Sequence, residues 1–142
     1  MRTYHVTEEH SESSPEAREL QDAIDHHNMD ATGEREFWPV TLCLRDENGA
    51  LRGGLTGAIW AGWLHIKVLW LEDAARGDGY GSQLLRAAEK YACSRGARHA
   101  HVSSFSFQAP GFYVKHGYER FGELSDYPPG QSHVFLRKQL GR

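Results

Sequence analysis

Two spacings of apolar residues alternate along the chain. Ala17, Leu20, Ile24 and His27 recur every three or four positions among charged residues, which is the spacing of one helical face. Ser13 or Ser14 can cap this helix, Pro15 suits its opening turn, and Glu16 favours the positive end of its dipole. The run "VTLCLRDENGALRGGLTGAIW" then sets two strand-like stretches around Asn48-Gly49, a pair that readily takes the positive φ angles of a tight hairpin. Ala61-Gly62 offers a second turn into "WLHIKVLWL", where Leu64, Ile66, Val68 and Trp70 alternate with Trp63, His65, Lys67, Leu69 and Leu71. A meander of three antiparallel strands is expected.

Helical spacing returns near Gly81. Leu84, Leu85, Ala88, Tyr91 and Ala92 form an apolar stripe that ends at Gly96, a residue type suited to follow a last helical turn. Beyond it, "RHAHVSSFS" reads as a strand, "APGFYVKHG" as a short helix stopped by Gly117, and "YERFGEL" and "SHVFLRKQL" as two further strands. With an opening strand ahead of the first helix, the predicted order is strand, helix, three strands, helix, strand, helix, two strands. That order is an α/β (α+β) fold with helices on the faces of one sheet. Residues 1–142 are expected to form one domain, since a chain of this length buries roughly two thirds of its unfolded surface and needs no disulfide or metal to hold a core.

Composition narrows the function classes. No stretch has the apolar length of a membrane span, and the opening "MRTYHVTEEH" lacks the apolar core of a secretion signal, so the expected location is cytoplasmic, with no membrane partner. A net charge of -3 argues against a broad nucleic-acid surface, which needs clustered Lys and Arg. Cys43 and Cys93 belong to no C-x-x-C pair. His26-His27 and His99-x-His101 lack the H-E-x-x-H spacing or nearby thiolates of a metal site, and none is expected.

The stretch "ARGDGYGSQLL" carries the strongest chemical signal. A P-loop needs Lys-Ser or Lys-Thr after its glycines, whereas Gly81 precedes Ser82-Gln83. A dinucleotide G-x-G-x-x-G would need glycine at 82 or 84, where Ser82 and Leu84 stand. The pattern R-x-x-G-x-G is met by Arg76, Gly79 and Gly81, between a strand and a helix. With no Cβ at Gly77, Gly79 and Gly81, successive backbone N–H groups can converge on an anion at the positive end of the helix. The alternative is a glycine-rich turn that binds nothing.

This loop, its flanking elements and the later "GFYVKHGY" resemble the GNAT superfamily of acyl-CoA-dependent N-acyltransferases. The resemblance implies a GNAT-like mixed, mostly antiparallel sheet and direct transfer of an acetyl group from acetyl-CoA to a primary or secondary amine, with a small-molecule acceptor. By it, residues 76–82 (Arg76, Gly77, Asp78, Gly79, Tyr80, Gly81 and Ser82) form the loop that holds the coenzyme pyrophosphate. The backbone of Leu69, Trp70 and Leu71 supplies the oxyanion-stabilising N–H, and Tyr113, from Y-x-K-x-G-[FY], stands beside the thioester sulfur. Many relatives carry a glutamate base on the strand before the loop, but "WLHIKVLWL" has no carboxylate before Glu72. The tail "DYPPGQSHVFLRKQL" is similar to that of small-molecule acetyltransferases such as glyphosate N-acetyltransferase, which implies His133 as base. Imidazole suits that role because it is ordinarily largely neutral at pH 7. His65 is the second candidate. The resemblance places the acceptor near residues 25–38, with Asp126 and Tyr127 also candidates to face it. Phe37 and Trp38 either line that pocket or belong to the core. Homodimers are common in the superfamily, with the C-terminal strands here as candidate contact surfaces. The rival reading is a non-catalytic acyl-CoA-binding or sensing domain.

Overall fold

In the computed structural model, which describes residues 2–141, the chain divides into two compact units, one up to Arg35 and one from Glu36 onward. The first holds helix α1 (Pro15–Thr32). Ser14 Oγ accepts the Ala17 N–H at 3.0 Å, Pro15 occupies the first turn, and Gly33, at φ 75°, closes the other end with its N–H on the Met29 carbonyl. The opening boundary is the one that Ser14 and Pro15 predict. Residues 2–14 form no strand, so the opening strand of the expected order is absent there. Only Tyr4 and Val6 alternate in that stretch before a run rich in Glu and Ser, too little apolar surface for a strand.

The second unit is a six-stranded sheet with two helices. In chain order it runs β1 (Phe37–Arg45), β2 (Leu51–Trp60), β3 (Trp63–Leu71), α2 (Tyr80–Ser94), β4 (His99–Phe105), α3 (Pro110–Lys115), β5 (Glu119–Ser125) and β6 (Ser132–Gln139). Across the sheet the strands lie in the order β1-β2-β3-β4-β6-β5, and every neighbouring pair is antiparallel except β3 and β4. A crossover through α2 makes that parallel pair possible. The apolar stripe of α2 buries Leu84, Leu85, Ala88 and Ala92 in one cluster with Val40, Leu55, Ile59, Leu64, Ile66, Ala100, Val102, Val134 and Leu136. Tyr113 and Tyr118 join the same cluster. Trp38 packs against it beneath the Arg95 guanidinium, whereas Phe37 is exposed.

The two hairpin turns differ. Ala61 and Gly62, at φ 51° and 86°, form the tight turn with both central residues left-handed. Between β1 and β2 only Gly49 is left-handed; the loop is longer and is organised by Asp46, whose carboxylate accepts the N–H groups of Asn48 and Ala50. Arg52 donates to that same carboxylate, chiefly accounting for the depressed titration of Asp46, and also reaches Glu72 just past β3.

Candidate active site

The strand alternation read from the sequence breaks in the middle of β3. Thr56 opposes Val68 while Gly57 opposes Ile66, so Lys67 is the extra residue of a β-bulge. A Cβ on Gly57 would collide with the His65 carbonyl oxygen, which is why the partner strand carries glycine there. The bulge inverts the faces of everything after it. Val68 and Trp70, which alternation puts on one face with the buried Leu64 and Ile66, are each 52% exposed, and Leu69 and Leu71 pack against the core instead.

The bulge also marks the point where the sheet opens. β3 and β4 pair from Trp63 to Ile66 against His99 to Val102, and beyond that register they part. The Glu72 N–H bonds back to the Arg52 carbonyl at 2.9 Å. Because edges alternate along an extended strand, the N–H groups of Leu69 and Leu71 face the opposite side, into the gap. A cleft of about 880 Å³ fills it, lined by Leu69 to Leu71, Arg76, Gly81, Tyr113 and His133 among others.

The glycine loop lies at one end. After a single 3-10 turn (Asp73–Ala75), Gly77 and Gly79 take φ 90° and 86°, conformations that L side chains rarely adopt. Gly81 does not share that conformation; it lies against the Phe112 ring, where a Cβ would make ordinary contact at 3.4 Å. The Arg76 N–H is spent within the turn, on the Asp73 carbonyl at 3.2 Å, so its backbone is not among the free donors expected from the sequence. Its guanidinium folds back onto the Leu71 carbonyl at 3.0 Å and onto Asp73 at 3.1 Å. By contrast, among the described residues the N–H groups of residues 77–82 donate to no backbone carbonyl outside the helix, and the first turn of α2 has no capping side chain. Those amides form a ready anion cradle. Gly77, Asp78, Gly79, Tyr80 and Ser82 adjoin Arg76 and Gly81 in the chain but do not themselves line the cleft. The residues present fit a coenzyme whose diphosphate lies on the cradle and whose thioester arm lies in the cleft.

Tyr113 projects from α3, is 7% exposed, and its phenol is pushed up to about 12 by burial. His133 sits on β6 directly across from Phe105 of β4, so both point to the face away from the α2 core. Its ring stacks on Phe105 at 4.2 Å and meets Tyr127 edge-on at 5.1 Å. Its Nδ1 is buried and has no hydrogen-bond partner among the described residues, an uncommon state for a native polar atom. His65, the second candidate base, does not line the cleft; it stacks on His101 at 4.3 Å, and burial, helped by Lys67, holds it below the ordinary imidazole range. Tyr127 lines the cleft and Asp126 does not. Residues that the sequence reading did not single out for the site include Phe105, Phe107 and Phe112.

Residues 3–118 match the acetyltransferase (GNAT) family, and the chain belongs to it. It is an acetyltransferase of the kind that uses acetyl-CoA. It is 43% identical over 95 residues to blasticidin-S acetyltransferase of Streptomyces morookaense, covering 66% of this chain and 70% of that protein. Acetyltransferase Atu2258 of Agrobacterium fabrum is 29% identical over 121 residues, covering 85% and 88% of the two chains. Among solved structures, an acetyltransferase from Bacillus cereus superposes with a TM-score of 0.86 at 36% identity, over 96% of this chain and 98% of that one.

Proposed function

We propose that the chain transfers an acetyl group from acetyl-CoA directly to a primary or secondary amine of a small-molecule acceptor. One observation carries this reading: a single cleft, opened by the parting of β3 and β4, is lined at once by the glycine-loop side, the free strand edge, Tyr113 and His133. When bound, acetyl-CoA supplies the acyl thioester. The amides of residues 77–82 hold the diphosphate, and the local field of a helix end, worth about 0.3–1 kcal/mol per charge, offsets the small net negative charge of the chain. One N–H of this free strand edge, that of Leu69 or that of Leu71, donates to the acyl oxygen as negative charge develops there. Tyr113 donates a hydrogen bond to the departing sulfur. His133 accepts the amine proton, and the buried, unpartnered Nδ1 supports a ring whose remaining partner comes from the ligand side.

The likeness of the tail to glyphosate N-acetyltransferase belongs to this reading through His133 alone. A relative that acetylates blasticidin S supports a small-molecule acceptor. The aromatic rim of Phe105, Phe107 and Tyr127 supports one with a flat or apolar body. The test is release of free thiol from acetyl-CoA across a panel of amines, with His133→Gln and Tyr113→Phe alongside. Turnover of at least one amine that falls in both variants is the expected result. Coenzyme binding without turnover of any amine refutes it in favour of a sensor.

A further inference from the structure

Ser82 Oγ and His116 Nε2 lie 2.8 Å apart, both half-buried, and the site just described gives His116 no part. Ser82 stands in the first turn of α2, within the amide cradle. His116 closes the C-terminus of α3, with its own N–H on the Tyr113 carbonyl at 2.9 Å. Phe112 packs beside this contact: its ring is 4.8 Å from that of His116 and lies against Gly81. The contact therefore ties the anion-binding turn to the short helix that bears Tyr113.

The direction of this hydrogen bond decides what the hydroxyl can do. A serine hydroxyl has one proton. If it is donated to His116, the oxygen turns only lone pairs toward an incoming phosphate and repels it. If Nε2 carries the proton and donates to Oγ, the hydroxyl proton is released to point at the phosphate as a charge-assisted donor. We infer that His116 is a positioning residue for coenzyme binding, which holds the Ser82 hydroxyl as a donor to the diphosphate and fixes α3 against the loop. A bound diphosphate selects the form of His116 that carries its proton on Nε2.

The inference rests on the transferase reading, and the experiment separates the two. Calorimetry with CoA is run on the parent, Ser82→Ala, His116→Phe, His116→Gln and the double variant Ser82→Ala/His116→Phe. Acetyl-CoA and S-acetylpantetheine are compared as donors in the thiol-release assay. Loss of one hydrogen bond to a charged group predicts an affinity about tenfold weaker in each of Ser82→Ala and His116→Phe, and no further loss in the double variant. His116→Gln, whose amide can donate to Oγ, recovers most of that affinity. S-acetylpantetheine, which has no diphosphate, loses clearly less in the variants than acetyl-CoA does. Long-range nitrogen–proton NMR of the imidazole shows a protonated Nε2 in the CoA complex. Parent protein that fails to bind CoA removes the transferase reading itself. Parent protein that binds, with an unchanged His116→Phe, an equal loss toward S-acetylpantetheine, or a bare Nε2 in the complex, overturns this inference alone. Should His116→Phe not fold, Ser82→Ala and the NMR signature decide it.

Discussion

Gly79 separates backbone strain from charge at the phosphate loop. It lies at φ 86° with nothing within 4 Å of where a Cβ would stand, so a side chain there meets open space and only the dihedral resists it. Gly79→Ala should lose about 1–2 kcal/mol, the cost of a left-handed conformation for an ordinary L residue. In a chain of this size that lowers the melting temperature by roughly 3–6 °C. Asparagine and aspartate tolerate that region, so Gly79→Asn and Gly79→Asp should be close to each other in stability. They differ by one charge beside the cradle. At about 6 Å from each of two phosphate charges, with an effective dielectric near ~40 for an exposed loop, the repulsion is about 1.4 kcal/mol per charge and about 2.8 kcal/mol in all, or roughly a hundredfold in affinity. Calorimetric titration with CoA at low salt should show Gly79→Asn close to the parent and Gly79→Asp weaker by about that factor, with the gap shrinking as salt is raised. Equal binding by Asn and Asp variants would refute the placement of the diphosphate at this loop.

Other expectations follow from the same structure. Tyr113 keeps its proton up to about 12 in the folded chain, while an unfolded tyrosine releases it near ~10, so the stability due to its burial is intact below pH 10 and lost as pH climbs to about 12. Tyr113→Phe removes that titration, and urea melts should show its alkaline loss of stability smaller than the parent's by about 2–3 kcal/mol. His133→Gln should lower kcat by about 10²-fold or more while leaving CoA affinity unchanged, measured by thiol release and calorimetry; a parallel fall in both would move His133 from base to coenzyme binding. Glu89 accepts from the Tyr118 hydroxyl at 2.7 Å and from the Lys138 ammonium at 3.1 Å, in a half-buried setting that joins α2 to β6. Glu89→Gln strands that ammonium and should lose about 1–3 kcal/mol in thermal denaturation, with Lys138→Met restoring part of it; an unchanged melting temperature would show the network to be idle.

Local signals were legible wherever one residue type answers one geometric demand. Ser14-Pro15 opens α1, Gly96 follows α2, and Ala61-Gly62 makes its turn, because caps and left-handed turns are decided within a few residues. The loop at residues 76–82 was legible for the same reason, except that the Arg76 amide is consumed by a 3-10 turn that no periodicity announces. The faces of β3 were misread from residue 68 onward. A bulge depends on the partner strand, and the one available hint was glycine at position 57 in a run of otherwise ordinary strand residues. Phe105, Phe107 and His116 reach their places only through pairing and packing across the chain, so spacing along the sequence could not set them apart from core or surface residues.

Burial assigns the two protonic roles to different residues. Full transfer of the Tyr113 proton to a thiolate near ~8.5 would be uphill by about 5 kcal/mol once burial has raised the phenol to about 12, against about 2 kcal/mol for an unburied tyrosine. In the proposed mechanism Tyr113 is thereby held as a hydrogen-bond donor that keeps its proton, and its contribution there is to steady charge on the sulfur as the bond breaks. A donor of that kind makes no demand on pH across the neutral range. The proton taken from the amine must then be carried by another group, and among the described residues that line the cleft the one imidazole is His133, on the opposite face of the opened sheet from the α2 core. Turnover should therefore change the shape of its pH profile in His133→Gln and keep that shape in Tyr113→Phe, where only its height falls.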